Sequence, residues 1–373
     1  MIDSNYSDDV RALSRGVGNV EDLASTLQKI YDLRYPKAKP RIEIRSKDLN
    51  YYAFICSKRY HQFSIPKKSG GEREISAPTY KLKVIQRCLS DLLQCCFTPT
   101  HVVTGFVAGR SVVENAKRHV GRRWVYNIDI KDFFPSIDFR RVKTVMELKP
   151  FNFGDDVAFL IANICCEKGC LPQGAPTSPV ITNIICQRLD RRLTKLAKSH
   201  RVTYSRYADD LTFSSFREMP QPSFLASIHE IIQGEGFLLN PDKERLTERT
   251  KSLRVTGLVV NEKLNVSKAF KRDIRYWLRT WEKFGKVNAQ KDFEKRNLGE
   301  HSFALSLLGK IRYYGMVRGN NDHLYLKYLS HYKEIASSEP RCNSEIWQLL
   351  DHWKNHGLKN IQSLTKNKFG RDE

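Results

Sequence analysis

Long apolar runs are scarce. The longest, Val157 to Cys166, is interrupted by Asn163 and stops well short of the ~18 residues that a membrane-spanning helix needs. The start, MIDSNYSDDV, is acidic and polar where a secretory leader has a basic segment followed by an apolar one. Together these absences predict a cytoplasmic chain that neither enters a membrane nor is exported. Zinc-ligand spacing is missing too, because none of the nine cysteines forms a CxxC pair with a nearby histidine. Only Cys165, Cys166 and Cys170 cluster closely enough to weigh as metal ligands, against the plainer reading of buried free thiols in a reducing compartment.

Negative charge is also in short supply. Against 63 Lys and Arg there are 41 Asp and Glu, a formal net charge of +22 over 373 residues, which exceeds what solubility asks for. So large a surplus predicts a polyanionic partner. The basic residues are spread along the chain instead of gathered in one amphipathic helix, which favours nucleic acid over an anionic membrane. What is present excludes a disordered chain: 40% hydrophobic residues and 11% aromatics supply a core, and the length fits two or three domains of ~100–200 residues.

Periodicity gives the elements. Residues 1–20 read as a polar, frayed start, and Val20, Leu23, Leu27 and Ile30 predict a short amphipathic helix. Tyr51 to Ile55 and Phe63 to Pro66 read as strands, the second running into Ser69-Gly70-Gly71. Lys81 to Phe97 reads as a helix with Leu82, Ile85, Leu89, Leu92 and Leu93 on one face. Trp124 to Ile130 alternates as a strand until it meets Asp129. Val157 to Cys166 reads as a buried helix, and the Gly/Pro-rich loop Gly169 to Pro179 leads into a second helix, Val180 to Lys198. Val202 to Ser215 has the pattern of two antiparallel strands joined by a tight turn at Tyr207-Ala208-Asp209-Asp210. Beyond residue 265, Phe270, Ile274, Trp277, Leu278, Trp281 and Phe284 form the stripe of one long amphipathic helix.

Adjacent acids alone say little, and Asp8-Asp9 and Asp155-Asp156 read as solvated loop acids. Asp209-Asp210 differ in context. They occupy a hairpin tip between apolar strands, where they repel each other unless cations neutralise them. If the strand ending in Asp129 lies beside that hairpin, three carboxylates converge. Such a trio suits two divalent ions roughly 3.5–4 Å apart, the apparatus of in-line phosphoryl displacement. The plain alternative is that Asp129 caps a helix and Asp209-Asp210 merely turn the chain.

Tyr207-Ala208-Asp209-Asp210, taken with Asn127-Ile128-Asp129-Ile130-Lys131-Asp132-Phe133-Phe134 and Leu171-Pro172-Gln173-Gly174-Ala175-Pro176-Thr177-Ser178-Pro179, resembles the motifs of reverse transcriptases in their order. Phe63-Ser64-Ile65-Pro66-Lys67-Lys68 through Arg73-Glu74-Ile75-Ser76-Ala77-Pro78 is similar to that family's basic finger strands. Gly236-Phe237-Leu238-Leu239-Asn240 with Lys243 is similar to its next palm block. The likeness runs from about residue 45 to 265. Asn115-Ala116-Lys117-Arg118-His119 and Val255-Thr256-Gly257 resemble the NAxxH and VTG signatures of bacterial retron reverse transcriptases. Together they favour that branch over group II intron, diversity-generating and CRISPR-associated relatives.

The resemblance implies an α/β right-hand polymerase with fingers, a ferredoxin-like antiparallel palm and a helical thumb. It implies N-terminal helices and fingers over 1–120, palm with finger insertions over 121–262, and a basic helical thumb and C-terminal RNA-binding region over 263–373. It further implies RNA-directed DNA synthesis from dNTPs on a cognate structured noncoding RNA that is both template and primer. Synthesis would begin at an RNA 2′-hydroxyl, leave a branched RNA–cDNA product, and serve anti-phage defence with an associated effector protein. Two Mg²⁺ ions would be held by Asp129, Asp209 and Asp210 with the Ile130 carbonyl. Lys67 and Arg73 would neutralise the triphosphate, or are solvated charges. Phe134 would exclude a 2′-hydroxyl from the incoming sugar, or is a core residue. Gln173 would pack on nucleotide and template, or belongs to a loop leading into a helix, and Lys243 would protonate pyrophosphate, or is a loop lysine.

Asn115 and His119 share a helix face and read as a structural or RNA-contacting element. Lys268, Lys271, Arg272, Arg275 and Arg279 surround the apolar stripe of the late helix. Tyr313, Tyr314, Tyr325 and Tyr328 alternate further on with Arg312, Arg318 and Lys327. These would grip RNA by phosphate contacts and stacking, or else solvate and fill an ordinary thumb. The rival functions are a non-catalytic RNA-binding scaffold with a polymerase fold and a related defence reverse transcriptase with different priming. Three intact acids weigh against the first.

Overall fold

The computed structural model describes residues 4–56, 58–66, 70–297 and 302–338. The chain divides into two compact units after Lys263. The first begins with helices α1 (Ser4–Ser14), α2 (Val20–Arg34) and α3 (Ser46–Asn50), followed directly by one π-helical segment, Tyr51–Ile55. Two expectations are corrected here. The polar start is helical because Val10 is buried and the Tyr6 hydroxyl donates to Asp91 at 2.6 Å. The aromatic run at Tyr51 is not a strand: it continues α3, turning Ala53 inward while Tyr51, Phe54 and Ile55 stay exposed. A five-residue apolar stretch has too few positions to separate the two periods.

Strands β1 (Tyr60–Pro66) and β2 (Glu72–Pro78) form an exposed antiparallel ribbon, in register from Tyr60↔Pro78 to Pro66↔Glu72. Helix α4 (Tyr80–Cys96) buries the predicted leucine face, and α5 (Val112–Lys117) is capped by Ser111, whose side chain accepts from the Glu114 N–H. Then come β3 (Trp124–Asp129), α6 (Phe139–Glu147) and α7 (Asp155–Cys165). The expected helix over 180–198 is two, α8 (Ser178–Ile185) and α9 (Gln187–Ser199), meeting at Cys186. β4 (Thr203–Tyr207), β5 (Asp210–Ser215), α10 (Pro222–Gly234), a 3₁₀ turn at Pro241–Lys243, β6 (Arg245–Glu248), β7 (Arg254–Val255) and β8 (Leu258–Val259) complete the unit. The central sheet runs β4-β5-β3-β6, antiparallel throughout. One apolar core built from α1, α2, α4, α7, α8, α9, α10 and the sheet supports it. This is an α/β fold with the finger ribbon and antiparallel palm that the resemblance implied.

The second unit holds α11 (Lys268–Asn297), α12 (Phe303–Arg318) and α13 (His323–Ser338). The predicted stripe helix is broken at Gly285, whose φ of 73° is left-handed and which costs a glycine less than any other residue. Trp277, Trp281, Phe293, Phe303 and Tyr332 pack with ring centroids 5.2–5.7 Å apart, edge to face except for the tilted pair Trp277–Phe303. Among the described residues no helix is long and apolar enough to cross a membrane. The cysteines there are free thiols, and burial pushes Cys165 up to about 12.

Candidate active site

Strand register brings the acids together. Asp129, the last residue of β3, lies opposite Asp210, the first of β5, and the Ile130 N–H donates to the Asp209 carbonyl at 3.1 Å. The β4–β5 turn places Ala208 at φ 57°, which throws Asp209 and Asp210 to the sheet edge. Asp129 is not a helix cap, and Asp209-Asp210 do more than turn the chain. Burial, then the Asp129 charge, raises the Asp209 carboxyl above its usual range. Asp210 still reaches solvent, yet surrounding protein and then the charges of Asp209 and Asp129 push it up to about 7. Lys243 is more than a loop lysine: its ammonium donates to both Asp129 oxygens at 2.9 Å. Burial alone would lower its pKa, but the Asp129 pair and the other two carboxylates outweigh that and raise it.

No three His, Cys, Asp or Glu side chains among the described residues stand ready-arranged around a metal. Lys243 occupies Asp129 instead. The donor chemistry nevertheless fits a hard divalent cation, since the trio is oxygen-only and its negative charge exceeds what one ammonium and the more distant Arg73 supply.

A buried polar frame holds the hairpin from behind. Arg206, wholly buried, binds Asp190 through Nε at 2.9 Å and Nη2 at 2.7 Å, and its Nη1 donates to Asn183 Oδ1 and the Ala208 carbonyl. Burial alone would lower the guanidinium, and the Asp190 charge more than reverses this. Gly105 lies against the turn so closely that a Cβ there would come within 2.3 Å of the Ala208 nitrogen. Thr104 donates its hydroxyl to Asn115 Oδ1 at 2.9 Å, and its N–H to the Arg206 carbonyl. His119 bridges the strands, with Nδ1 2.6 Å from Ser214 Oγ and Nε2 2.7 Å from Ser205 Oγ. Burial, then Arg122 and Arg118, lowers its pKa to about 3, so the ring is neutral, with one nitrogen donating and the other accepting.

The RNA-contacting half of the expectation for Asn115 and His119 is therefore corrected: both have no exposure, and nothing outside the protein reaches them. Their companion signature adjoins them. Thr256 and Gly257 form the two-residue loop of the β7–β8 hairpin, both at positive φ, and the Thr256 hydroxyl donates to the Val112 carbonyl at the start of α5. Arg206, Asp190 and Gly105 were not singled out from the sequence. An arginine inside an apolar strand pattern, just before the acids, was the available signal.

The finger ribbon is tied to the Gln173 loop. The Ser76 N–H donates to the Gln173 carbonyl at 2.9 Å, and Gly174, at φ 137°, leaves no room for a Cβ, which would sit 2.6 Å from the Ser76 oxygen. Arg73 is exposed on β2 and its charge acts on Asp209, while Lys67 lies outside the described residues. Phe134 is partly buried, its ring 6.0 Å from that of exposed Phe106, next to Gly105.

In the second unit, Arg275 and Arg279 join Arg272, Lys283, Tyr276 and Phe284 around a cavity of about 440 Å³. Lys271 is half-buried and does not line it. Tyr314, Tyr325 and Tyr328 are buried, so the expectation that they stack on RNA is corrected: they fill the core. The exposed aromatics on this face are Tyr276 and Phe284.

An antiparallel palm with carboxylates at the end of β3 and on the β4–β5 turn defines a nucleotidyl-transferring polymerase fold. The family described as reverse transcriptase (RNA-dependent DNA polymerase) matches residues 65–260. The chain is 40% identical over 245 residues to the retron Mx162 reverse transcriptase of Myxococcus xanthus, covering 57% of this chain and 50% of that protein. It is 38% identical over 239 residues to the retron Mx65 enzyme of the same organism, covering 59% and 56%. It is 32% identical over 230 residues to the retron Ec86 reverse transcriptase of Escherichia coli, covering 61% and 71%. The match thus spans about half the length of the two Myxococcus relatives. The chain belongs to the reverse transcriptases and, within them, to the bacterial retron type.

Proposed function

We propose that this chain is an RNA-directed DNA polymerase that copies a structured noncoding RNA, its own template and primer, into cDNA. Priming from an RNA 2′-hydroxyl would leave a branched product, and the complex would act in anti-phage defence with an effector protein in the cytoplasm. The observation that carries this reading is the register that sets Asp129 opposite Asp210 with Asp209 beside it. Asp129, Asp209, Asp210 and the Ile130 carbonyl would hold divalent cations, Mg²⁺ in this reading, which activate the attacking hydroxyl and stabilise the leaving oxygens.

The chain's own residues would do the rest. Arg73 on the finger ribbon, with Lys67, neutralises the triphosphate, its charge already directed at Asp209. Lys243, raised and protonated, holds Asp129 until substrate arrives and would then give its proton to pyrophosphate. Phe134 walls the sugar, with Phe106 beside it. Gln173, fixed by Ser76, lines the template side. Arg275 and Arg279 grip RNA phosphates next to exposed Tyr276 and Phe284. The scaffold reading loses support because all three acids are present and crowded.

Purification of the chain with its RNA tests the proposal. cDNA of one defined sequence, covalently attached to RNA and resistant to separation until the RNA is hydrolysed, is the expected result. DNA free of RNA would overturn 2′-hydroxyl priming, and no DNA at all would favour the scaffold.

A further inference from the structure

Phe106 has a backbone conformation that few bulky residues adopt. Its φ is 60°, in the left-handed region, where the Cβ crowds the residue's own carbonyl. Burial does not offset that cost. The ring is 42% exposed, although the next residue, Val107, packs against the core. A residue strained in this way persists only where its surroundings hold it.

Those surroundings are the frame of the acid-bearing hairpin. Gly105 lies against the β4–β5 turn, where an added Cβ would come within 2.8 Å of the Tyr207 carbonyl carbon and closer still to the Ala208 nitrogen. The Gly105 carbonyl accepts from Asn183 Nδ2 at 3.1 Å, and Asn183 Oδ1 accepts from Arg206 Nη1 at 3.1 Å. One residue earlier, the Thr104 N–H donates to the Arg206 carbonyl at 2.9 Å. One residue later, the Val107 carbonyl accepts from the Arg110 N–H at 3.1 Å. The backbone on either side of Phe106 is therefore fixed, and its N-terminal side is tied to the arginine that holds the turn of Asp209 and Asp210.

What this backbone projects is a ring beside Phe134. The two centroids are 6.0 Å apart, with the planes tilted by 40°. Phe134 also meets buried Phe133, at 5.7 Å. It is thus contacted by one core ring and by one ring that is largely open to solvent. Among the described residues, Phe133 would be the only ring left in contact with Phe134 if Phe106 were removed.

We propose that Phe106 is a positioning residue for sugar selection, bracing the Phe134 ring in the space that a ribose 2′-hydroxyl would need. It acts through Phe134. Its left-handed backbone is what carries the brace from the acid-bearing turn to that ring, so the wall that measures the sugar and the carboxylates that direct the chemistry share one support. The proposal rests on the reading of Phe134 as the wall of the sugar pocket.

The test is single-nucleotide incorporation by the full chain on an annealed primer and RNA template, with GTP and dGTP compared opposite a templating C. Phe106→Gly removes the brace and suits the backbone, since glycine adopts positive φ freely. It should raise the ratio of kcat/KM for GTP to that for dGTP by about tenfold. Phe106→Leu, which keeps apolar bulk, should raise it less, and Phe106→Tyr, which keeps the ring, should hold the wild-type ratio. Phe134→Ala should raise the ratio too, and adding Phe106→Gly to it should change nothing further, because the brace then has no ring to hold. A merely structural role would lower kcat/KM for both nucleotides alike. A ratio moved by Phe134→Ala but not by Phe106→Gly would therefore overturn the brace, as would effects that multiply in the double variant. A ratio that Phe134→Ala leaves unchanged would instead strike the wall reading, and the brace with it, whatever Phe106→Gly does.

Discussion

Arg206 immediately precedes the turn that carries Asp209 and Asp210, and its guanidinium is sealed inside with Asp190, Asn183 and the Ala208 carbonyl. A buried ion pair rarely adds much net stability, but removing one partner strands the other charge. Asp190→Asn should therefore cost about 3–5 kcal/mol in urea unfolding, and a loss under about 1 kcal/mol would show that Arg206 is solvated another way. His119 makes a separate, pH-dependent contribution. Its folded pKa near 3 lies below the unfolded 6.5, so the unfolded chain takes up a proton in that window that the folded chain refuses. Stability should fall as pH drops from 6.5 toward 3, with a slope from this group of up to about 1.4 kcal/mol per pH unit. His119→Gln should lose that component, and an unchanged slope would mean that the ring is not held neutral.

The β3 strand and the β4–β5 hairpin were legible in the sequence because alternating apolar residues fix both period and face, and a single register then forces the three acids to one edge. What stayed hidden is what no local pattern encodes. The partners of His119 come from strands 95 and 86 residues away. The fate of the thumb tyrosines depended on α12 and α13 packing together, and the break at Gly285 on one backbone angle. The Phe134 segment is the element whose sequence reading is most open to test. Its ring is partly buried beside Phe106 and so has both a core and a surface face. Phe134→Ala should raise the use of rNTP relative to dNTP by opening the space for a 2′-hydroxyl. An unchanged ratio in single-nucleotide incorporation, with lower stability, would make Phe134 a core residue only.

At the scale of the molecule, the +22 charge is distributed over two units, each with an open basic concavity. Against that background, negative charge crowds together in the trio at the sheet edge. In the proposed reading, a chain that attracts polyanions broadly yet gathers carboxylates at one point would bring a phosphate backbone to cations held there. That claim is tested most directly by primer extension on an RNA template with dNTPs and Mg²⁺, comparing the wild-type chain with Asp209→Asn combined with Asp210→Asn. The wild type should make DNA complementary to the RNA. The double variant should make none above trace while keeping its fold and RNA affinity, because neutralising crowded carboxylates relieves repulsion. DNA synthesis by the double variant at a substantial fraction of the wild-type rate would contradict the assignment of the site.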